Sequence, residues 1–153
     1  MATTTATITL ASSDLLSDSL SLSSTMTLYQ NGTTATGLDE MNYHRLVIPT
    51  GTQFDLIAES AALSEDASYV YIINKNTDVT DYVLIDINSE EIGRLYAGDW
   101  LFMPWDNDLT DQQSASDQTG NDSTIEIEAV GHETIIEYAL FHSGETLLTS
   151  ADS

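Results

Sequence analysis

The sequence predicts an all-β domain, an antiparallel β-sandwich of the jelly-roll type with an extended N-terminal strand or arm. Short segments with apolar residues at alternate positions recur along the chain, as expected of half-buried strands. Turn-forming Asn, Gly and Pro residues separate these segments at spacings typical of two packed sheets. The sequence has no convincing apolar stripe of helical period, so we expect no substantial helix.

Two strands are predicted near the amino terminus. Apolar and Thr residues alternate from Ala6 to Leu10, which indicates a thin strand. Its position suits either an edge strand of its own sheet or an arm that lies on a neighbouring subunit. The segment Ser19–Leu28 predicts a longer amphipathic strand, and Asn31-Gly32 after it predicts a tight hairpin turn.

The middle of the chain predicts five strands, of which the last three have the strongest pattern. A connection of one helical turn at most, Glu59–Ala67, divides them into two groups. We expect the last three to form an antiparallel meander, because short Asn-rich turns separate them. In chain order the predicted strands are Asn42–Pro49, Gln53–Ala58, Tyr69–Asn74, Asp81–Ile87 and Glu91–Ala97.

The remaining strands surround a long polar loop. The run Trp100–Trp105 is apolar at both parities, which predicts a strand buried on both faces. The polar segment Asp106–Ser123 is long enough to be a candidate contact loop. After it, Thr124–Val130 and Glu133–His142 predict a hairpin around Gly131-His132. We divide the chain into an N-terminal arm (1–12), a sandwich domain (13–146) and a C-terminal tail (147–153).

Charge excludes several partners. The chain has 153 residues, with 25 acidic residues against three basic ones and a formal net charge of −22. Such a surface repels phosphate backbones and anionic headgroups, so we expect no nucleic acid and no membrane as partners. It suits a salty setting, divalent cations or a partner with a basic face, and simple solubility in brine explains it equally well.

Catalytic motifs are missing from the sequence. There is no cysteine, no Gly-x-Ser-x-Gly elbow and no phosphate-binding glycine loop. The histidines His44, His132 and His142 are too far apart in sequence for a spaced metal motif. A pair of catalytic carboxylates is compatible with so acidic a chain, but no pattern singles one out. We therefore predict that the protein is not an enzyme, and we assign no catalytic or cofactor-binding residue.

The site candidates are few. Asp106, Asp108 and Asp111 present oxygen ligands that could hold calcium, although the loop only partly matches a calcium-binding pattern and a solvated acidic loop is the simpler interpretation. No other cofactor is expected. Trp105, beside the polar loop, suits an interface anchor, whereas the other aromatic residues of its strand suit the core. The interface candidates are Ile8, Leu10, Leu20, Leu22 and Trp105.

Two segments carry a resemblance. Ser13–Ser23 (SDLLSDSLSLS) and Glu91–Trp105 (EIGRLYAGDWLFMPW) resemble segments of small virion structural proteins of tailed bacteriophages from aquatic and marine hosts. The resemblance implies a capsid decoration or cement protein, a jelly-roll homotrimer on the capsid surface that binds the major capsid protein or other virion subunits. The alternative that it implies is a tail or neck component of such a virion.

A carbohydrate-binding β-sandwich is the alternative from another class. In that case exposed aromatic residues such as Tyr29, Tyr43 or Trp105 would stack on sugars, and acidic loops would hold calcium. The sequence does not decide the position in the virion, the oligomer symmetry, the host or the partner surface.

Overall fold

The computed structural model describes residues 3–13, 20–30, 32–38, 40–57, 67–105 and 124–143. These residues form ten antiparallel strands and no helix, in two four-stranded sheets and a separate hairpin, an arrangement consistent with a β-sandwich. No helix long and apolar enough to cross a membrane is found among them. The strands are β1 Thr4–Ser12, β2 Leu20–Leu28, β3 Glu40–Ile48, β4 Gln53–Ile57, β5 Ala67–Asn74, β6 Tyr82–Ile87, β7 Glu90–Tyr96, β8 Trp100–Pro104, β9 Ile125–Val130 and β10 Thr134–His142.

The chain divides into two compact units, one of residues Glu40–His142 and the other of Met1–Asp39 with Ser143–Ser153. The larger unit holds both four-stranded sheets, with the strand orders β3-β10-β5-β8 and β4-β9-β6-β7. Pairing within it is nested: β3 pairs with β10, β4 with β9, β5 with β8, and β6 with β7. The first and last strands of this unit are therefore neighbours.

The core of the larger unit comes from alternate residues of both sheets. Val70 and Ile72 in one sheet, and Val83 and Ile85 in the other, are at most 1% exposed and belong to one buried cluster. Because successive side chains of a strand point to opposite faces, period-two patterning puts these residues on the inner face. β-branched side chains dominate the cluster, which matches the strand preference of Val and Ile.

The smaller unit contains a two-stranded hairpin, which we call the arm. Its strands β1 and β2 pair from Thr4 opposite Leu28 to Ser12 opposite Leu20. After β2, the Thr33 amide donates to the Gln30 carbonyl at 3.2 Å, and Gly32 adopts a φ of +75° between them. The chain thus reverses at the Asn-Gly dipeptide, as predicted, although Asn31 itself lies outside the described residues. After the turn, the chain forms one antiparallel bridge, between Tyr29 and Gly37.

The turn between β6 and β7 follows the expected chemistry. Asn88 and Ser89 both have positive φ, at 52° and 65°, and form the two-residue loop of a hairpin. Two consecutive positive φ values match the right-handed twist of the flanking strands. Asn is one of the residues that tolerate this conformation. Asn88 Oδ1 also accepts a long-range hydrogen bond from the Thr124 amide at 2.8 Å.

Three predictions about strand pairing and burial are wrong. The predicted meander is split, since β5 lies in a different sheet from β6 and β7. The predicted hairpin around Gly131-His132 instead joins β9 and β10 across the two sheets. Strand β8 is an edge strand with one outward face, so Trp100 is 52% exposed. Short turns and apolar runs occur both in hairpins and in connections between two sheets, so the sequence alone does not distinguish a hairpin from such a connection.

Other predictions fall outside the described residues. These include the polar loop with Asp106, Asp108 and Asp111, the tail at 147–153, and all of the predicted 59–67 connection except Ala67. The strand β2, which we assigned to the sandwich domain at 13–146, pairs with β1 in the arm.

Candidate interaction surfaces

One face of the arm is apolar and exposed. Because β1 and β2 pair even-numbered residue with even-numbered residue, their apolar side chains share a face. Ile8 is 44% exposed, Leu10 and Leu22 are each 54% exposed, and Met26 is 45% exposed. Three of the predicted interface residues, Ile8, Leu10 and Leu22, therefore lie together here, with Leu20 half-buried on the same side. The arm's apolar face comprises Ala6, Ile8, Leu10, Leu20, Leu22 and Met26.

The opposite face of the arm consists almost entirely of hydroxyl groups. The hydroxyls of Thr7 and Thr25 lie 2.8 Å apart, and those of Thr9 and Ser23 lie 3.3 Å apart. Such cross-strand Thr and Ser pairs support register without charge. Neither β1 nor β2 contains a charged residue, although the chain as a whole carries −22. The two strands of the arm are thus neutral, with one apolar face and one hydroxyl face, whereas the segment of sequence that joins them contains Asp14 and Asp18.

The larger unit also has an apolar outer surface. On the sheet β3-β10-β5-β8, the residues whose side chains alternate with the core residues are mainly aromatic or aliphatic. Met41, Tyr43, Val47 and Trp100 are each at least 50% exposed. We call this surface the aromatic face, and it comprises Met41, Tyr43, Val47, Tyr69, Tyr71, Ile73, Trp100, Phe102, Pro104, Ile135 and Phe141, together with the charged Arg45 and Glu137.

Ring contacts organise the aromatic face. Tyr69 and Phe102 stack with centroids 5.4 Å apart and planes only 5° apart. Phe102 also meets Phe141 edge-on at 6.0 Å, and Tyr71 lies 6.4 Å from Trp100. Stacked and edge-on pairs stabilise a sheet by about 0.5–1.5 kcal/mol each beyond the area they bury. The rings therefore form a preorganised platform across three strands.

Two of the chain's three basic residues flank one carboxylate at the aromatic face. Arg45 Nη1 lies 3.5 Å from Glu137 Oε1, and Lys75 Nζ lies 3.7 Å from Glu137 Oε2. A hydrogen bond with Glu137 raises the pKa of the Tyr43 hydroxyl, and burial raises the pKa of Tyr71. Both phenols are thus neutral at ordinary pH, and the formal charge of this group is +1.

The outer surface of the other sheet has the opposite character. Asp55, Glu126, Asp86 and Glu91 lie in register across its four strands. Gln53 Nε2 donates to Glu126 Oε2 at 3.0 Å and to Asp86 Oδ2 at 3.3 Å, which partly compensates the row. Like charges directly opposite one another destabilise a sheet, so screening by salt should stabilise this acidic face.

Sequence reasoning missed one polar cluster. Asp78, Asp81 and His132 bring ligand atoms within 4.8 Å of one another, although 51 positions separate Asp81 from His132. Asp81 is 3% exposed, and its oxygens accept hydrogen bonds from His132 Nδ1 at 3.0 Å and from Asn76 Nδ2 at 3.1 Å. The contact with Asp81 raises the pKa of His132. These hydrogen bonds join the β5–β6 connection to the β9–β10 connection, so the cluster has a structural explanation.

The other predicted site residues have structural surroundings. Trp105 is only 5% exposed and belongs to the core cluster, so it presents little surface to a partner, and Trp100 is the exposed tryptophan. His44 stacks on Tyr138 at 5.0 Å, whereas His142 is buried beside Asn42, whose Nδ2 lies 3.1 Å from its Nε2. Trp100 is exposed because it lies on the outward face of the edge strand β8, and sequence patterning did not predict that edge position.

No known protein-family model matches the chain, and no curated protein matches it in sequence.

Proposed function

We propose that the protein is a virion structural subunit, a capsid decoration or cement protein that stabilises a shell through subunit contacts. The observation that carries the proposal is the bare aromatic face of the larger unit. Exposed apolar patches of this breadth mark interaction sites, and Tyr, Trp, Phe, Met and Arg are the residues enriched where proteins meet. The resemblance to phage virion proteins supplies the kind of assembly, and the protein acts in it without catalysis.

A jelly roll is the architecture that we propose for this subunit. The nested pairs β3 with β10, β4 with β9, β5 with β8, and β6 with β7 support it, because a jelly roll is a long hairpin of eight strands rolled into two sheets. Homotrimers are the expected oligomer, since jelly-roll decoration proteins of the resembling class assemble in that way.

Charge supports a place on the outside of a shell. The acidic face with Asp55, Asp86, Glu91 and Glu126 complements a basic patch on a coat protein, and complementary charge accelerates encounter and fixes orientation. The aromatic face then remains for contacts of another kind. The same acidic charge is screened in seawater, where such particles persist outside the cell.

Immunogold labelling of virions tests the proposal. Antibodies against the purified protein are applied to particles of aquatic tailed phages that carry this sequence, and label distributed over the shell is expected. Label confined to the neck or tail would replace decoration by the tail or neck alternative. Particles that contain none of the protein by mass spectrometry would overturn the virion assignment.

A second candidate, a carbohydrate-binding sandwich, is favoured by the exposed ring of Trp100, which lies 6.4 Å from the ring of Tyr71. Flat aromatic platforms stack on the apolar faces of sugars. A glycan array, read with and without a calcium chelator, tests this candidate. Saturable binding that Trp100→Ala abolishes would support it, and an array without binding would exclude it for the sugars displayed.

A further inference from the structure

We propose that the arm of one copy packs its apolar face on the aromatic face of a second copy. The inference rests on the proposed function for the view that this chain is an assembly subunit, and it adds the partner and the two surfaces that meet. Each surface is a sheet face with exposed large apolar side chains, including Leu10 and Leu22 on the arm and Tyr43 and Trp100 on the larger unit. Two sheets pack face to face when apolar side chains interdigitate.

Charge favours a second copy as the occupant. Copies that each carry −22 repel one another, and the acidic face would add carboxylates to any contact it made. The arm brings no charged residue in β1 or β2, and the charged residues of the aromatic face, Arg45 and Glu137, sum to +1 with the adjoining Lys75. Contact between these two surfaces therefore avoids most of the repulsion that opposes self-association.

Size agrees with this pairing. A nine-residue strand spans about 30 Å, and two strands span about 10 Å, so the arm covers a footprint of about 300 Å². The four-stranded face is about 19 Å wide and accepts the arm with room to spare. Each contact therefore covers about 300 Å² on each partner, less than the roughly 800 Å² per partner of a standard interface, and a copy that gives one arm and receives another has about 600 Å² covered over two such contacts.

The contact is also of the type from which rings are built. The arm and the aromatic face are different surfaces, so their contact is heterologous, and heterologous contacts generate cyclic oligomers when the rotation closes. An isolated two-stranded hairpin is marginally stable in water. Packing on a second copy would bury the exposed side chains of Ile8 and Met26 and so stabilise the hairpin.

Cysteine cross-linking tests the contact directly, because the native chain has no cysteine. One tagged variant carries Leu10→Cys on the apolar face of the arm, and untagged variants carry Met41→Cys, Val47→Cys or Trp100→Cys on the aromatic face. Equal mixtures are treated with a short bismaleimide at high salt. Thr9→Cys, on the hydroxyl face of the same strand, is the matched control.

We expect a product of mixed mass between Leu10→Cys and at least one aromatic-face variant, with at least tenfold less product for Thr9→Cys. Products that join only two Leu10→Cys chains would mean that arms pair with each other. Products that join only two aromatic-face variants would mean that these faces pair. Either result, or no cross-link between chains, overturns the proposal. So does a Leu10→Cys/Met41→Cys double variant that closes only within its own chain.

A charge variant adds a readout of assembly. Leu10→Glu is expected to reduce the solution mass measured by light scattering to that of a monomer, whereas Thr9→Glu leaves the oligomer intact. Circular dichroism checks that both variants keep the sheet signal. If Leu10→Glu keeps the wild-type mass while virions carry the protein, this inference fails alone. If the cross-links form and no virion carries the protein, the proposed function fails alone.

Discussion

Gly131 lies directly against the buried Asp81 carboxylate, and its replacement by alanine is expected to destabilise the larger unit strongly. Gly131 has a φ of +100°, and an added Cβ would collide with Asp81 Oδ1. An L side chain in the left-handed region costs about 1–2 kcal/mol. Overpacking against a side chain that is held by its own hydrogen bonds costs about 1–3 kcal/mol more. We therefore expect Gly131→Ala to lower the free energy of unfolding by about 2–5 kcal/mol.

Gly51→Ala is the matched control. Gly51 has a φ of +68°, and nothing lies within 4 Å of the Cβ that would be added, so this variant carries the backbone strain alone. Urea unfolding followed by tryptophan fluorescence measures both variants, because Trp105 is buried in the core. The two losses should differ by about 1–3 kcal/mol, the share that belongs to the collision.

A double variant isolates the contact. In an Asp81→Ala background the carboxylate is gone, so Gly131→Ala should cost only the strain that Gly51→Ala shows. A coupling of at least 1 kcal/mol between the two sites is expected, in the range usual for residues in contact. If Gly131→Ala costs no more than Gly51→Ala, or if removal of Asp81 leaves its cost unchanged, the reasoning from this contact is refuted.

Three further predictions concern pH, salt and the core. The pKa of His132 is raised in the folded state by Asp81, so its contribution to stability is full below the unfolded pKa of about 6.5 and is lost as pH rises through the higher folded value; the difference in unfolding free energy between wild type and His132→Gln should shrink from pH 5.5 to pH 8.5, and a constant difference would contradict this. Raising NaCl from 20 to 500 mM should raise the melting temperature of the −22 chain by screening its repulsion, and a fall would show that charge repulsion is not limiting. Ile136→Ala, at a fully buried position, should cost about 2–5 kcal/mol by urea unfolding, whereas Ile135→Ala on the outer face should cost less than half of that.

Local patterning predicted the strands because alternation is a property of each segment by itself. Tyr69–Asn74 and Asp81–Ile87 were predicted within a few residues of β5 and β6. Pairing depends on distant segments, so the sequence did not predict that these two strands lie in different sheets. The same limit explains why the predicted meander is absent.

The candidate surfaces were predicted in part. Ile8, Leu10 and Leu22 share a parity that the sequence displays, and the structure places them on one exposed face. The aromatic face combines four strands whose order no local pattern encodes, so Trp100 was assigned to the core and Trp105 to a surface. The Asp81 and His132 contact joins two turns that only the packed sheets bring together.

The neighbouring positions of the first and last strands of the larger unit affect how a cell can make this protein. β3 contains Glu40 and its partner β10 ends at His142, so the pair closes only after nearly the whole unit has left the ribosome. Contacts between residues so far apart in sequence form slowly, because a long loop must close before they stabilise anything. Until then β3 lacks its partner, and truncated chains that stop before Thr134 lack it permanently. The strong negative charge makes such incomplete chains repel one another. The same repulsion that destabilises the folded protein therefore opposes aggregation during synthesis.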